Sequence, residues 1–351
     1  MPYLTVVILF VYAIIFLIGV LGNTMVLSII YFEKKTKKST NIFIMNLAIA
    51  DLLFIIVCIP DSASSLFDIN LLPESFCRYQ MFLTYISIFA SAYTLVLLAF
   101  DRLVAVVYPL RAVYMRTFKN TIISCCLVWI ISFLIYFVTF FIIKNNDTKN
   151  RYYGNKTIHP CFDINKMSDF VETKLNIQHL FLTFNITSYI IPLLAIIIMY
   201  AIILNFLHKI KSKELKTAVN KQWRRRITKT IWLVIATFAI CWFPQNSRIF
   251  YMAITYPNNH SIKEHLSKAN YMILTVIFQI MAYANYCINP ILYCLMLKRY
   301  RWYVVNFWMY VRNFCLSENN RIPRDSKCLP HKPSFDASFH NSTKSINPAN
   351  V

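Results

Sequence analysis

The sequence predicts an all-α membrane protein, a seven-transmembrane helix bundle with a short amphipathic helix on its cytoplasmic side. Composition is the first reason: of 351 residues, 58% are hydrophobic and only 15% charged, whereas soluble domains carry about a quarter charged. The second is length, because apolar stretches of about 20 residues, enough to cross a bilayer, recur seven times along the chain. The third is the placement of charge. Lys and Arg outnumber Asp and Glu by 36 to 15, a balance that in a soluble protein would point to nucleic acid. Here the cations lie between apolar stretches, so a membrane accounts for them and no nucleic-acid partner is expected.

The first stretch, Tyr3 to Phe32, starts almost at Met1 and lacks a basic n-region and a small-residue cleavage site. It therefore reads as a span, not a removable leader, with no folded domain ahead of it. Asn41 to Phe67, Phe76 to Tyr108, Thr121 to Ile143 and Ile177 to Leu207 follow, then Ile227 to Tyr256 and Leu266 to Leu297. The bundle thus occupies 1–297. Lys298 to Trp308 alternates cations with aromatics, a composition suited to a helix in the headgroup layer over 298–314, with Cys315 as a palmitoylation candidate. An aromatic belt with an unmodified thiol is the plainer alternative. The remainder, 315–351, is polar and proline-containing and reads as a disordered tail.

Seven crossings put the two ends on opposite sides. Segments after the first, third and fifth stretches, with the tail and the charges at the stretch ends on that side, hold 26 basic and 6 acidic residues, against 10 and 8 on the other side. Cytoplasmic loops collect Lys and Arg, which places the N-terminus outside and the C-terminus in the cytoplasm of a multi-pass plasma-membrane protein. The sequons at Asn146, Asn155 and Asn259 all fall in outer loops, as glycosylation requires, although such triplets also arise by chance. Of ten cysteines only Cys77 and Cys161 lie on the outer side, where they can pair. Three glycines rule out a phosphate-binding loop and a dinucleotide fingerprint, and no Cys/His spacing suggests a zinc site.

A charge at mid-bilayer costs about 2.5 to 3.5 kcal/mol and is a functional candidate by default. Asp51 is the clearest. Ser91, Asn285 and Asn289 in other spans offer it oxygens, so a bound sodium ion, with Asp51 as its metal ligand, and a closed hydrogen-bond network around a neutral Asp51 both stand. Asp101 and Arg102 end the third span, either as a pair that holds a resting state until Arg102 is released to a partner or as ordinary interfacial charges. Pro60, Pro192, Pro244 and Pro290 lie inside spans and supply kinks. Trp242, two residues before Pro244, is either coupled to that bend or simple core filler.

Taken together, these residues resemble the rhodopsin-like (class A) family of G-protein-coupled receptors over about residues 5 to 315. The pattern comprises Gly22-Asn23, Asp51, Cys77, Asp101-Arg102, Trp129, Pro192, Tyr200, Cys241-Trp242-Phe243-Pro244 and Asn289-Pro290-Ile291-Leu292-Tyr293. Ala90 to Arg102 and Ser39 to Asp51 are similar to the allatostatin-A and galanin receptor group. The resemblance implies a neuropeptide receptor, not an enzyme, that promotes nucleotide exchange on a heterotrimeric G protein, usually an inhibitory one, with arrestin, receptor kinases and membrane lipid as further partners. It implies a Cys77 to Cys161 disulfide, a pocket for an allosteric sodium ion formed by Asp51, Ser91, Trp242, Asn285 and Asn289, and no other cofactor. The activation residues would be Asp101, Arg102, Tyr200, Phe238, Trp242, Pro244, Asn289, Pro290 and Tyr293. Positions matching the family's ligand pocket are Asp61, Gln80, Thr84, Tyr85, Gln245, Asn246, Arg248, Tyr251 and Gln279.

Tyr283 stands where retinal-binding members need lysine and Thr84 where amine receptors need aspartate, so both classes are excluded. Leu103, Ala92 and Arg224 depart from the family pattern at positions that restrain the resting state. Two other functions were weighed. A related receptor for a different peptide or a small molecule, coupled to calcium, is the nearer one; a transporter is remote, because broken, glycine-rich helices with charges along a path are missing.

Overall fold

The computed structural model describes residues 2–32, 39–65, 77–142, 174–210, 218–255, 268–296, 300–306 and 309, with no strand among them. Residues Met1–Val304 form one compact unit and Val305–Val351 a second. In the first, the helices are α1 (Pro2–Phe32), α2 (Ser39–Ser65), α3 (Cys77–Val107), α4 (Pro109–Met115), α5 (Phe118–Ile142), α6 (Lys174–Asn185), α7 (Ile191–Ile210), α8 (Ala218–Thr255) and α9 (Lys268–Met296). Among the described residues, five helices are long and apolar enough to cross a membrane, and Ile273–Leu295 with its bent continuation makes a sixth. α8, with 38 residues, also has the length to cross.

α3 runs through the middle of the bundle, packed against α2, α5, α7 and α8, while α1 closes the ring between α2 and α9. Helices alike in hydrophobicity to the lipid around them gain little from water exclusion, so close packing and interhelical hydrogen bonds must hold them. Asn23 donates to the carbonyls of Gly19 and Tyr286, both at 2.9 Å, tying α1 to α9. Asn46 donates to Thr94 Oγ1 at 2.7 Å and accepts from Trp129 Nε1 at 2.9 Å, joining α2, α3 and α5. Asn46→Leu removes both bonds and leaves the half-buried Trp129 Nε1 without its acceptor, while Thr94 keeps the Ala90 carbonyl at 2.6 Å, a loss of about 1 to 3 kcal/mol; the expected result is a lower detergent melting temperature, with Trp129→Phe intermediate.

The fifth expected span is more elaborate than an apolar run can reveal. A single π-helical turn, Ile186–Ile190, separates α6 from α7 just before Pro192. The extra residue in that turn re-aims the side chains around it. Tyr136 of α5 bonds to Ser188 at 2.6 Å and Thr187 at 2.8 Å, and Tyr189 donates to the Ala239 carbonyl of α8 at 3.0 Å. α4 was likewise not expected. Pro109 takes its first helical position, where the missing N–H costs nothing, and Arg116 closes it, its N–H bonded to the Ala112 carbonyl at 3.0 Å.

Candidate functional site

Two polar centres lie within the apolar bundle. At the first, Asp51 is fully buried and accepts hydrogen bonds from Ser91 Oγ at 3.0 Å and Asn289 Nδ2 at 2.9 Å. Asn289 Oδ1 and both amide atoms of Asn285, one turn earlier on α9, have no hydrogen-bond partner among the described residues. Nor does any group of three His, Cys, Asp or Glu side chains gather there in the manner of a transition-metal site. A carboxylate among neutral oxygens is the donor set that hard cations prefer. The residues therefore fit a sodium ion.

Trp242 lies above this centre as part of an aromatic cluster. Its ring meets Phe54 edge-on at 6.4 Å and Tyr286 at 6.1 Å, and Phe54 stacks on Tyr286 at 3.9 Å. Trp242 is 4% exposed. Four residues further along α8, Asn246 Nδ2 donates to the Trp242 carbonyl at 2.9 Å, while Asn185 Nδ2 donates to the Asn246 carbonyl at 2.7 Å. Asn185, which begins a further glycosylation triplet with Ile186 and Thr187, is thus buried in the bundle. Phe238 is also buried, and its ring faces Tyr189 at 5.9 Å.

The expected ligand residues fall in two groups. Gln80, Tyr85, Asp61, Asn246 and Arg248 are buried, Thr84, Gln245 and Gln279 half-buried, and Tyr251 exposed. Gln80 Nε2 and Gln245 Oε1 have no partner among the described residues. Others are engaged within the protein. Thr84 donates to the Gln80 carbonyl at 2.8 Å, and Tyr85 stacks on Tyr136 at 5.4 Å. Gln279 Nε2 donates to Tyr283 Oη at 2.6 Å and Ser62 Oγ at 2.9 Å, and Tyr283 also bonds to Ser62 at 2.7 Å. This Gln279–Tyr283–Ser62 cluster joins α2 and α9 and carries no signal in the sequence.

At the opposite end of α3 lies the second centre. Asp101 and Arg102 do contact, at 3.2 Å, but Asp101 has a stronger partner. Arg116 grips the carboxylate with both edges of its fork, Nε to Oδ1 at 2.6 Å and Nη2 to Oδ2 at 3.0 Å. Thr40 Oγ1 donates to Asp101 Oδ2 at 2.9 Å and accepts from Arg102. Two-point guanidinium–carboxylate contacts are the strong kind. Arg116 and Thr40 are thus members of this centre that sequence reasoning missed. Tyr200 and Tyr293 are buried, their hydroxyls without a partner among the described residues, and Tyr293 lies beside Tyr300 at 5.8 Å.

A buried carboxylate facing Asn289 of an Asn-Pro turn, a Trp two residues before a helical proline and an Asp–Arg pair closing the central helix are disposed along a single bundle. The chain matches the 7 transmembrane receptor (rhodopsin family) model over residues 22–293. It belongs to the rhodopsin family of seven-transmembrane receptors. Its relatives include the galanin-like G-protein coupled receptor npr-9 of Caenorhabditis elegans, 29% identical over 83% of this chain and 70% of that one. The allatostatin-A receptor of Bombyx mori is 28% identical over 81% and 74%, and galanin receptor 2a of Danio rerio 30% identical over 85% and 76%. Membership of the rhodopsin family makes the chain a multi-pass membrane receptor and not an enzyme.

Several expected features lie outside the described residues: Cys161, the sequons at Asn146, Asn155 and Asn259, Cys315, and the side chains of Cys77 and Arg224. Of the expected surface helix, 300–306 are helical, with Tyr300 buried and Trp302 exposed.

Proposed function

We propose that this receptor lies in the plasma membrane with its N-terminus outside, binds an extracellular neuropeptide, and promotes nucleotide exchange on a heterotrimeric G protein of the inhibitory class. The observation that carries the reading is the file of side chains from the half-buried Gln245 and the buried Asn246, through Trp242, Phe54 and Tyr286, to Asp51 and Asn289. It gives a ligand at one end a packed route to the rest of the bundle. The peptide class is supported by relatives named as galanin-like, allatostatin-A and galanin receptors. Orientation is supported by the excess of Lys and Arg in the segments placed inside.

In this mechanism the peptide enters between the outer helix ends and meets the open amide groups of Gln80 and Gln245. Its contacts shift Trp242, and α8 swings outward about Pro244 at its inner end. That movement uncovers Arg102 and opens a cleft lined by it, the already exposed Leu110 and the basic third loop, into which a G-protein helix inserts in the manner of a helix in a groove. Tyr200 and Tyr293 then find partners for their hydroxyls. A sodium ion held by Asp51, Ser91, Asn285 and Asn289 would neutralise the buried carboxylate and favour the resting arrangement. Arrestin and receptor kinases act on the serine-rich tail, Ser334 to Ser345.

Arg248 and Asp61 are assigned to peptide carbonyl or carboxylate and to a basic group, respectively. A hydrogen bond to a charged group contributes about 1.5 to 3 kcal/mol, so Arg248→Ala and Asp61→Ala are each expected to weaken agonist potency at least about tenfold. Unchanged potency in both would remove these residues from the site. Ala92, fully buried, and Leu103 fill restraint positions with side chains unlike the family's usual ones. Cells expressing the receptor without peptide are therefore expected to show lower cyclic AMP than untransfected cells; equal levels would refute this.

The deciding experiment is a neuropeptide library applied to expressing cells with calcium and cyclic-nucleotide readouts together. A peptide that lowers cyclic AMP at nanomolar concentration supports the proposal. A response to small molecules alone overturns the ligand class, and a calcium response blind to inhibitory-class toxin overturns the coupling.

A further inference from the structure

We propose that a cavity between α2, α3, α4 and α5 holds an anionic phospholipid of the cytoplasmic leaflet, and that the bound lipid favours the resting receptor. The cavity has a volume of about 220 Å³, more than the roughly 150 Å³ that admits a benzene ring into a protein core. Its wall is apolar, formed by Phe43, Leu97, Phe100 and Val104. Phe100 and Met115 at its margin are 42% and 44% exposed, so the opening lies on the outer surface of the bundle and not on its central axis. An acyl chain suits that wall.

What selects the headgroup is Arg116. The other polar lining groups, the Asp101 carboxylate among them, are bonded within the protein: Asp101 accepts from Arg116 and Thr40, Ser39 pairs with Thr121 at 2.6 Å, and Ser124 donates to the Asn120 carbonyl at 2.8 Å. Arg116 is different, because its side chain is 29% exposed while Asp101 is almost wholly buried. Its guanidinium therefore faces the buried carboxylate and the surface at once. Arg111 and Lys119, both exposed, flank it in the same short stretch. A phosphate in this position meets cations from the protein, since clustered Lys and Arg at a membrane surface attract anionic headgroups.

The consequence for signalling follows from competition. Asp101 is shared among Arg116, Thr40 and Arg102. A phosphate that draws on Arg116 leaves Asp101 to Arg102, 3.2 Å away, and Arg102 is then held more firmly in its resting place. A ligand shifts an equilibrium only by its differential affinity for the two states; here the difference lies in whether Arg102 must be freed. The leaflet and this direction rest on the orientation and coupling proposed above, whereas occupation of the cavity by an anionic lipid does not.

The test uses the full-length receptor in nanodiscs of phosphatidylcholine with or without phosphatidylserine. Native mass spectrometry is expected to find one phosphatidylserine retained by the wild type and by Arg116→Lys, and none by Arg116→Gln or by Ser124→Trp, whose indole fills the cavity from α5. Agonist-free nucleotide exchange is expected to fall about fivefold with phosphatidylserine in the wild type, the lower end of ordinary allosteric coupling, and to be indifferent to it in Ser124→Trp. Equal retention of phosphatidylcholine, or retention by all variants, overturns the site. A phosphatidylserine effect that survives in Ser124→Trp assigns it to bulk membrane charge and overturns the coupling. Melting curves confirm that each variant is folded, and because retention needs neither peptide nor G protein, failure of the proposed function leaves that arm readable.

Discussion

Sodium chloride is expected to lower agonist affinity of the wild-type receptor by about five- to tenfold relative to choline chloride at equal ionic strength, and to have no effect on Asp51→Asn. The sign follows from linkage: an ion that binds the resting arrangement better must be bound worse when agonist is present, by the same factor. The magnitude is the usual range for coupling between two sites in one bundle. Asparagine is the informative replacement because it keeps the shape of the side chain and one acceptor while removing the charge. Asp51→Ala would leave Ser91 Oγ and Asn289 Nδ2, which now donate to the carboxylate at 3.0 and 2.9 Å, without an acceptor. Each loss costs about 1 to 3 kcal/mol, so that variant confounds stability with sodium. If Asp51→Asn retains the full sodium response, the ion sits elsewhere, and Asp51 is a structural hydrogen-bond centre.

That choice illustrates which parts of the receptor were legible before any coordinates. Seven apolar stretches follow from composition, because a bilayer demands length and hydrophobicity in nearly the same amount everywhere. Asp51 stood out for the same reason: a carboxylate in that setting needs an explanation. Its partners Ser91 and Asn289 follow less from composition, because oxygen-bearing residues inside spans are many; the resemblance to the rhodopsin-like family points to them. Arg116 was not legible. It lies in a charged loop where cations are common, and only the helical turn of α4, closed at Arg116 itself, brings its fork under Asp101 15 residues earlier. The Gln279–Tyr283–Ser62 cluster was hidden in another way, as each residue is unremarkable for its helix and the bonds between α2 and α9 depend on rotation about the helix axes. The π turn at Ile186–Ile190 leaves no mark in an apolar run, because inserting one residue changes the register of faces without changing the hydropathy.

The second large effect concerns the two glycines of α1, and the geometry predicts an order opposite to the one bare distances suggest. A methyl group on Gly19 would come within 2.5 Å of Ile55 Cδ1, and one on Gly22 within 2.9 Å of Pro290 Cβ and 3.1 Å of Pro290 Cγ. Gly19 has the shorter contact, but with the far end of a side chain that can rotate away. Gly22 faces a ring that cannot. Pro290 is fixed in φ and lies inside α9, so relief requires α1 and α9 to separate, and the Asn23 bond to the Tyr286 carbonyl at 2.9 Å would stretch with them. Overpacking costs typically about 1 to 3 kcal/mol, and Gly22→Ala belongs at the upper end with Gly19→Ala at the lower. Detergent-solubilised Gly22→Ala is accordingly expected to melt several degrees below Gly19→Ala, and Gly22→Leu to fail to reach the cell surface. Because Pro290 lies one residue beyond Asn289, the strain at Gly22 also acts on the residue that binds Asp51; Gly22→Ala should alter the sodium response as well as the melting temperature, while Gly19→Ala alters only the latter. Equal melting temperatures, or Gly19→Ala the less stable, would show that α9 yields at Pro290 more easily than Ile55 changes rotamer.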